Sequence, residues 1–385
     1  MVRKHSQRFF VGLFSLICLI LFLNCSKNGA SDVINSQPPN TNASVAKGLR
    51  EIGMDILDTN PSSSFNTNIS LAKAAGSTYM ILGLGWNQIE ASTPNDCGSA
   101  GTYVDPGNAL ATFNSLLPTS GIKLSLSILP VSTNLNLMPS SLSSANFDDP
   151  LVVCRFQKML SFVFSKIPNV ELVSMQFGNE IDSYSAATQL SFWSQYWGLF
   201  TQASVTAKSL RPGLKTSIVS TMHGATGQSL NPLAQGGLQQ IYNSADIVVV
   251  TYYPLNSNFT VKNPDVVDSE IGSLVTLYPS KPIYFNEIGY QSGSTYDASS
   301  EDLQKQFVTR VFKTWDKYPN QILKMSFLRL NDVSLSAAQS TANTYGLTGN
   351  NQFIEYIQTL GLRTYDGRDK QAYIQLKIEA TSRGW

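Results

Sequence analysis

The chain has 385 residues, 42% hydrophobic and 14% charged, with 27 Lys and Arg against 26 Asp and Glu. That is ample apolar material for a large core, and the near-neutral balance lacks the basic face that nucleic-acid binding calls for. An uncharged substrate fits this balance better.

The first stretch reads as a targeting segment. Arg3, Lys4 and Arg8 precede the apolar run FFVGLFSLICLILFLN, which stops at Cys25 and gives way at once to polar sequence. The tail LFLNC is similar to a relaxed bacterial lipoprotein signal, so residues 1–24 are expected to be removed and Cys25 lipidated. An uncleaved anchor or a plain secretory signal are the alternatives. Residues 25–47, rich in Ser, Asn and Pro, are expected to be a flexible tether before a single domain over 48–385. Cleavage would remove those three basic residues and leave 24 basic against 26 acidic side chains. The expected protein is an exported, membrane-anchored lipoprotein of the outer membrane, facing the periplasm or the cell surface. It is expected to be a monomer that meets the membrane only through its lipid.

Cys97 and Cys154 then remain in an exported chain, and a disulfide between them is plausible, with two buried thiols as the alternative. After residue 24 the only histidine is His223. Neither Cys nor His occurs at metal-ligand spacing, so no metal and no cofactor are expected.

From residue 49 onward short β-rich runs alternate with helical patterns. LREIGMDIL (49–57) reads as a first strand, followed by a helix closing at Gly76. TYMILGLGW (78–86) and IKLSLSILPV (122–131) are the second and third, each followed by a helical stretch. VELVSMQFGNE (170–180) is the fourth, and the helix behind it stops at Pro212. LKTSIVSTMH (214–223), ADIVVVTYYP (245–254), KPIYFNEIGY (281–290) and ILKMSFLRLND (322–332) complete the series. SSEDLQKQF opens the helix after the seventh strand with Glu301 and Asp302 in its first turn, which suits the helix dipole. Eight strand–helix units over about 300 residues predict an α/β fold of the (β/α)8 TIM-barrel kind. An open doubly wound sheet would call for a Gly-rich phosphate loop after the first strand, and none is present.

In such a barrel the strands' C-terminal ends form the functional face. Glu180 ends the fourth strand and Glu287 the seventh, each directly after an asparagine, Asn179 and Asn286. Two carboxylates at one mouth suit glycosidic bond cleavage, where one protonates the departing oxygen and the other attacks or activates water. Ionised Glu287 is expected to keep the proton on Glu180 by repulsion. Neighbouring side chains on a strand alternate faces, so Asn179 and Glu180 share a pocket only if the chain bends at 178–180, which Gly178 permits.

QFGNEI and YFNEIGY resemble the fourth- and seventh-strand motifs of the clan A retaining glycoside hydrolases. DIVVVTYYP is similar to the sixth strand of the arabinogalactan endo-β-1,4-galactanase family, and GLRTYDGRDKQAYIQLK to the clan's C-terminal tail. The resemblance implies Glu180 as acid/base, Glu287 as nucleophile and Asn179 as a donor to the sugar 2-hydroxyl. Tyr252 or Tyr253 would hydrogen-bond the nucleophile. One departure is that Leu330, Asn331 and Asp332 stand where many clan members carry a Trp at the end of the eighth strand.

Sugar sites also use aromatic platforms. Trp86, with Asn87 beside it, is placed either for that role or in the core, and Glu90 reads as a solvated loop charge. His223 and Tyr290 either face the substrate or pack structurally, while Trp193 and Trp197 read as helix core. The leading expectation is an O-glycosyl hydrolase acting on β-linked polysaccharide or oligosaccharide. The alternatives are a catalytically weak, adhesin-like carbohydrate-binding lipoprotein on the same barrel, or a barrel enzyme moving protons on a non-sugar substrate.

Overall fold

The computed structural model describes residues 44–57, 64–92, 96–97 and 102–385. The signal segment, Cys25 and most of the tether lie outside these residues. Among the described residues no helix is long and apolar enough to cross a membrane. Residues 44–47, expected as the end of the tether, already dock on the C-terminal helix through Lys47 N to Arg383 O (2.8 Å).

Eight parallel strands build the barrel: β1 (Glu51–Met54), β2 (Ser77–Gly85), β3 (Lys123–Ser132), β4 (Leu172–Asn179), β5, β6 (Val248–Tyr252), β7 (Ile283–Ile288) and β8 (Ile322–Phe327). The fifth comes in two pieces, Thr216–Ser217 against β4 and Val219–Thr221 against β6, with Ile218 between them. The other neighbours pair in order and β8 pairs with β1, so the barrel is nearly closed. Helices α1 (Phe65–Ala74), α2 (Ala109–Ser120), α3 (Pro150–Lys166), α4 (Leu190–Leu210), α5 (Pro232–Ser244), α6 (Val266–Leu277) and α7 (Glu301–Lys317) follow strands one to seven. After β8 come α8 (Leu335–Thr344), α9 (Asn351–Gln358) and the closing α10 (Gln371–Ser382).

Local chemistry explains these elements. α3 starts on Asp149, whose side chain accepts from Leu151 N with Pro150 in the first turn. α7 starts on Ser300, which accepts from Leu303 N ahead of Glu301 and Asp302. Along β3 the alternation is plain. Leu124, Leu126 and Ile128 join the core between strands and helices, whereas Ser125 and Ser127 bond to Gln176 of β4 inside the barrel. A barrel interior is usually packed with branched apolar residues. Here a polar cluster of Ser125, Ser127, Ser174, Gln176 and Asn286 lies beneath the mouth.

Cys97 and Cys154 are joined by a disulfide with Cα atoms 6.0 Å apart, tying the segment after β2 to α3. The expected eighth strand was too long at its C-terminal end: the strand stops at Phe327, and Leu328–Asp332 already form loop.

Candidate active site

The chain bends where the fourth strand delivers its acid. Gly178 has φ 94° and Glu180 φ 47°, both left-handed, and the strand stops at Asn179. A Cβ on Gly178 would lie 2.3 Å from the Tyr196 hydroxyl, so both conformation and space demand glycine. Asp182 holds the bend. Its carboxylate accepts from Thr221 N (2.8 Å) and Thr221 Oγ1 (2.6 Å) at the end of β5, and burial pushes its carboxyl up to about 6. The seventh strand reaches the same result with a bulge. Phe285 faces Val250, but Glu287 faces Thr251, so the ladder slips across Asn286. Asn286 then points down to Ser125 of the interior cluster while Glu287 stands at the mouth.

The bends bring the two acids together. Glu180 is 1% exposed and accepts from Thr133 Oγ1 (3.0 Å) and Thr251 Oγ1 (2.7 Å). Glu287 is 4% exposed and accepts a 2.7 Å hydrogen bond from the Tyr253 phenol. Burial first, and then the nearby Glu180 charge, push the Glu287 carboxyl well above its usual range, against the opposing pull of Tyr253 and Arg329. A negative charge on one acid so close by disfavours ionising the other.

Two helices absent from the site expected from sequence border the pair. Tyr345, at the end of α8, and Tyr356, in α9, are both buried within reach of the Glu180 and Glu287 charges. Tyr356 meets Tyr253 edge to face at 5.8 Å. The Tyr345 hydroxyl stands by Thr133 and Ser132 without hydrogen-bond geometry to either, and the Tyr356 hydroxyl is likewise unpartnered. Both tyrosines sit in amphipathic helical patterns that read as ordinary packing. Only their place after the eighth strand, on the functional face, was a signal.

Several expected contacts fall elsewhere. Trp86 is fully buried outside the barrel lumen, edge to face with Phe156 of α3, and donates to Glu90 Oε2 (2.7 Å). It is no sugar platform. Glu90 is not solvated either, being buried in a 2.8 Å ion pair with Arg155. Tyr252 turns outward to donate to Glu270 (2.7 Å), which leaves Tyr253 as the partner of Glu287. Tyr290 stacks on Phe307 and donates to Lys262 O, packing under a loop rather than lining the mouth. His223 is half-buried, and the charges acting on it are Lys262 and Glu270, not the acid pair. Trp193 and Trp197 lie in α4, with indoles bonded to Ala187 O and Ser244 Oγ. Asn179 is buried directly before Glu180.

The departure at the eighth strand also shifts. Asn331 accepts from Arg363 and Asp332 forms a 2.7 Å ion pair with Lys370, locking the tail to the loop. The residues that actually leave β8 at the mouth are Leu328 and Arg329.

No family model and no curated protein sequence matches the chain. Solved structures do match in fold. An exo-beta-1,4-mannosidase, Op5Man5, from Opitutaceae bacterium strain TAV5 superposes with a TM-score of 0.61 at 14% identity over 91% of this chain. The chain spans 62% of that protein's length. The GH5_18 protein of Bifidobacterium longum subsp. longum, in complex with Manb1-4GlcNAc, gives 0.63 at 11% identity, covering 86% of this chain and 78% of its own. A beta-D-glucuronidase of Dictyoglomus thermophilum gives 0.54 at 13% identity, covering 88% and 53%. The fold is thus the TIM barrel shared with clan A glycoside hydrolases. The likeness does not single out the galactanase family.

Proposed function

We propose that the protein is a retaining glycoside hydrolase cleaving a β-linked glycan, with Glu287 as nucleophile and Glu180 as acid/base. The single observation that carries this is two buried acids on separate strands at one barrel mouth, close enough for one charge to shift the other. The glycosidase fold of its structural neighbours supports the reading.

In the first step a Glu287 carboxylate oxygen bonds to the anomeric carbon. The bond to the departing oxygen breaks as Glu180 gives it a proton. In the second step Glu180 takes a proton from water, the water oxygen bonds to the anomeric carbon, and Glu287 leaves. Glu287 must be ionised to attack, and the Tyr253 hydrogen bond and the Arg329 cation both favour that form. With a proton on Glu180, the repulsion that raises Glu287 is gone. Asn179, directly before the acid/base, is assigned to the sugar 2-hydroxyl.

The burial of both acids beside α8 and α9 favours a chain end or short oligosaccharide over the middle of a polymer. Export and lipid anchoring at Cys25 belong to the same proposal, delivering the barrel to glycans outside the cytoplasm. The test is proton NMR of the first product formed from β-linked oligosaccharides. The β-anomer must appear first, and Glu180→Gln and Glu287→Gln must each abolish turnover. An α-product, or full activity in either variant, removes the assignment. Glycan binding with no turnover would instead favour an adhesin-like protein.

A further inference from the structure

Arg329 leaves β8 directly beside the acid pair. Its backbone is pinned on three sides. Leu328 N donates to Ile288 O (3.0 Å) next to Glu287, Leu330 N to Asp55 O (2.9 Å) of the loop after β1, and Leu362 N to Arg329 O (2.9 Å). The residue is 4% exposed, yet guanidinium Nε and Nη1 meet no hydrogen-bond acceptor and the side chain forms no ion pair among the described residues. The arginines Arg50, Arg155 and Arg383, buried as deeply, each carry a carboxylate partner at 2.8 Å or less. The charged groups around Arg329 are Glu287 and Asp332, with the Tyr356 phenol also facing it, and Asp332 is already taken by Lys370.

A buried guanidinium with unused N–H groups is costly unless something fills its fork, and planar carboxylates and sulfates fit that fork in bidentate fashion. The Tyr356 hydroxyl beside it is also unpartnered, where sugar hydroxyls would need partners. We propose that Arg329 anchors an anionic group on the sugar being cleaved, so that the substrate is an acidic β-linked glycan bearing a uronate carboxylate or a sulfate ester. The inference rests on the glycosidase reading of this mouth. It departs from the uncharged substrate suggested by net charge, which averages over the surface and is blind to one buried cation.

The test compares 4-nitrophenyl β-D-glucuronide, β-D-galacturonide and β-D-galactoside 6-sulfate with the neutral glucoside and galactoside. The wild-type protein should prefer one acidic member over its neutral counterpart by about 100-fold in kcat/KM, and Arg329→Gln should collapse that ratio toward one. Arg329→Lys, which keeps the charge but not the fork, should fall between. The uronides and the sulfate tell the two anion sources apart. A wild-type ratio at or below one overturns the proposal, as does a ratio that Arg329→Gln leaves unchanged, since Arg329 would then serve only as a counter-ion to Glu287. If none of the glycosides is turned over, the glycosidase reading fails separately and calorimetry with the methyl β-glycosides decides. Binding of an acidic member at least tenfold tighter than its neutral partner, lost in Arg329→Gln, upholds the anion site, and equal binding overturns it.

Discussion

The Tyr253 phenol donates a 2.7 Å hydrogen bond to Glu287 Oε2, while the adjacent Tyr252 turns the opposite way to bond Glu270. One strand end thus splits its two tyrosines between the mouth and the helix layer, as alternation requires. Tyr253→Phe should remove a charge-assisted bond and lower kcat by about 10- to 100-fold with a smaller change in KM. Tyr252→Phe should act on stability instead. Steady-state kinetics of both variants check the split, and equal kinetic losses would contradict it.

The Trp86–Glu90–Arg155 group predicts a stability effect without a site effect. Glu90→Gln strands the Arg155 cation in the core, where breaking a buried pair costs about 3–5 kcal/mol. Urea unfolding should show a loss of that order. A change below about 1 kcal/mol would mean that the pair is solvated.

The Cys97–Cys154 bridge ties the segment after β2 to α3. Cross-links of this kind contribute about 2–4 kcal/mol, largely by restricting the unfolded chain. Cys154→Ser should lower the unfolding midpoint accordingly, and reductant should do the same to wild type but not to the variant.

Asp297 supplies a pH prediction. It is fully buried between Gln291 and Glu355, and burial followed by the Glu355 charge raises its carboxyl to about 7. A folded value above the unfolded one, near 3.9, means that the native state binds the extra proton between those limits. Stability should therefore decline as pH rises from about 4 to 7, by on the order of 4 kcal/mol, and level off above. Asp297→Asn should flatten that slope. Glu355 also accepts the backbone N–H groups of Thr295, Tyr296 and Asp297, so hydrogen exchange at these amides should quicken over the same window.

The barrel was legible because short β-rich runs alternate with helical patterns eight times, and two of those runs end abruptly in Asn-Glu, at residues 179–180 and 286–287. Chain bends at those pairs follow from alternation and from Gly178, both visible in the sequence. What stayed hidden depends on contacts distant in the chain. Trp86 looks like a platform until Glu90 and Arg155 are seen to bury it. Arg329 read as part of a longer eighth strand because SFLRLND keeps a strand-like pattern past Phe327. Tyr345 and Tyr356 lie on helices whose periodicity reports burial but not what they are buried against. The partners of Glu180, Thr133 and Thr251, are hydroxyls no motif marks.

The assignment of Glu287 as nucleophile is tested by mass spectrometry after incubation with 2-deoxy-2-fluoro-β-glycosyl fluorides, neutral and uronic. One added glycosyl group is expected on the peptide carrying Glu287, and none in Glu287→Gln. A label on any other residue, or hydrolysis with no labelled protein at any time, would contradict it.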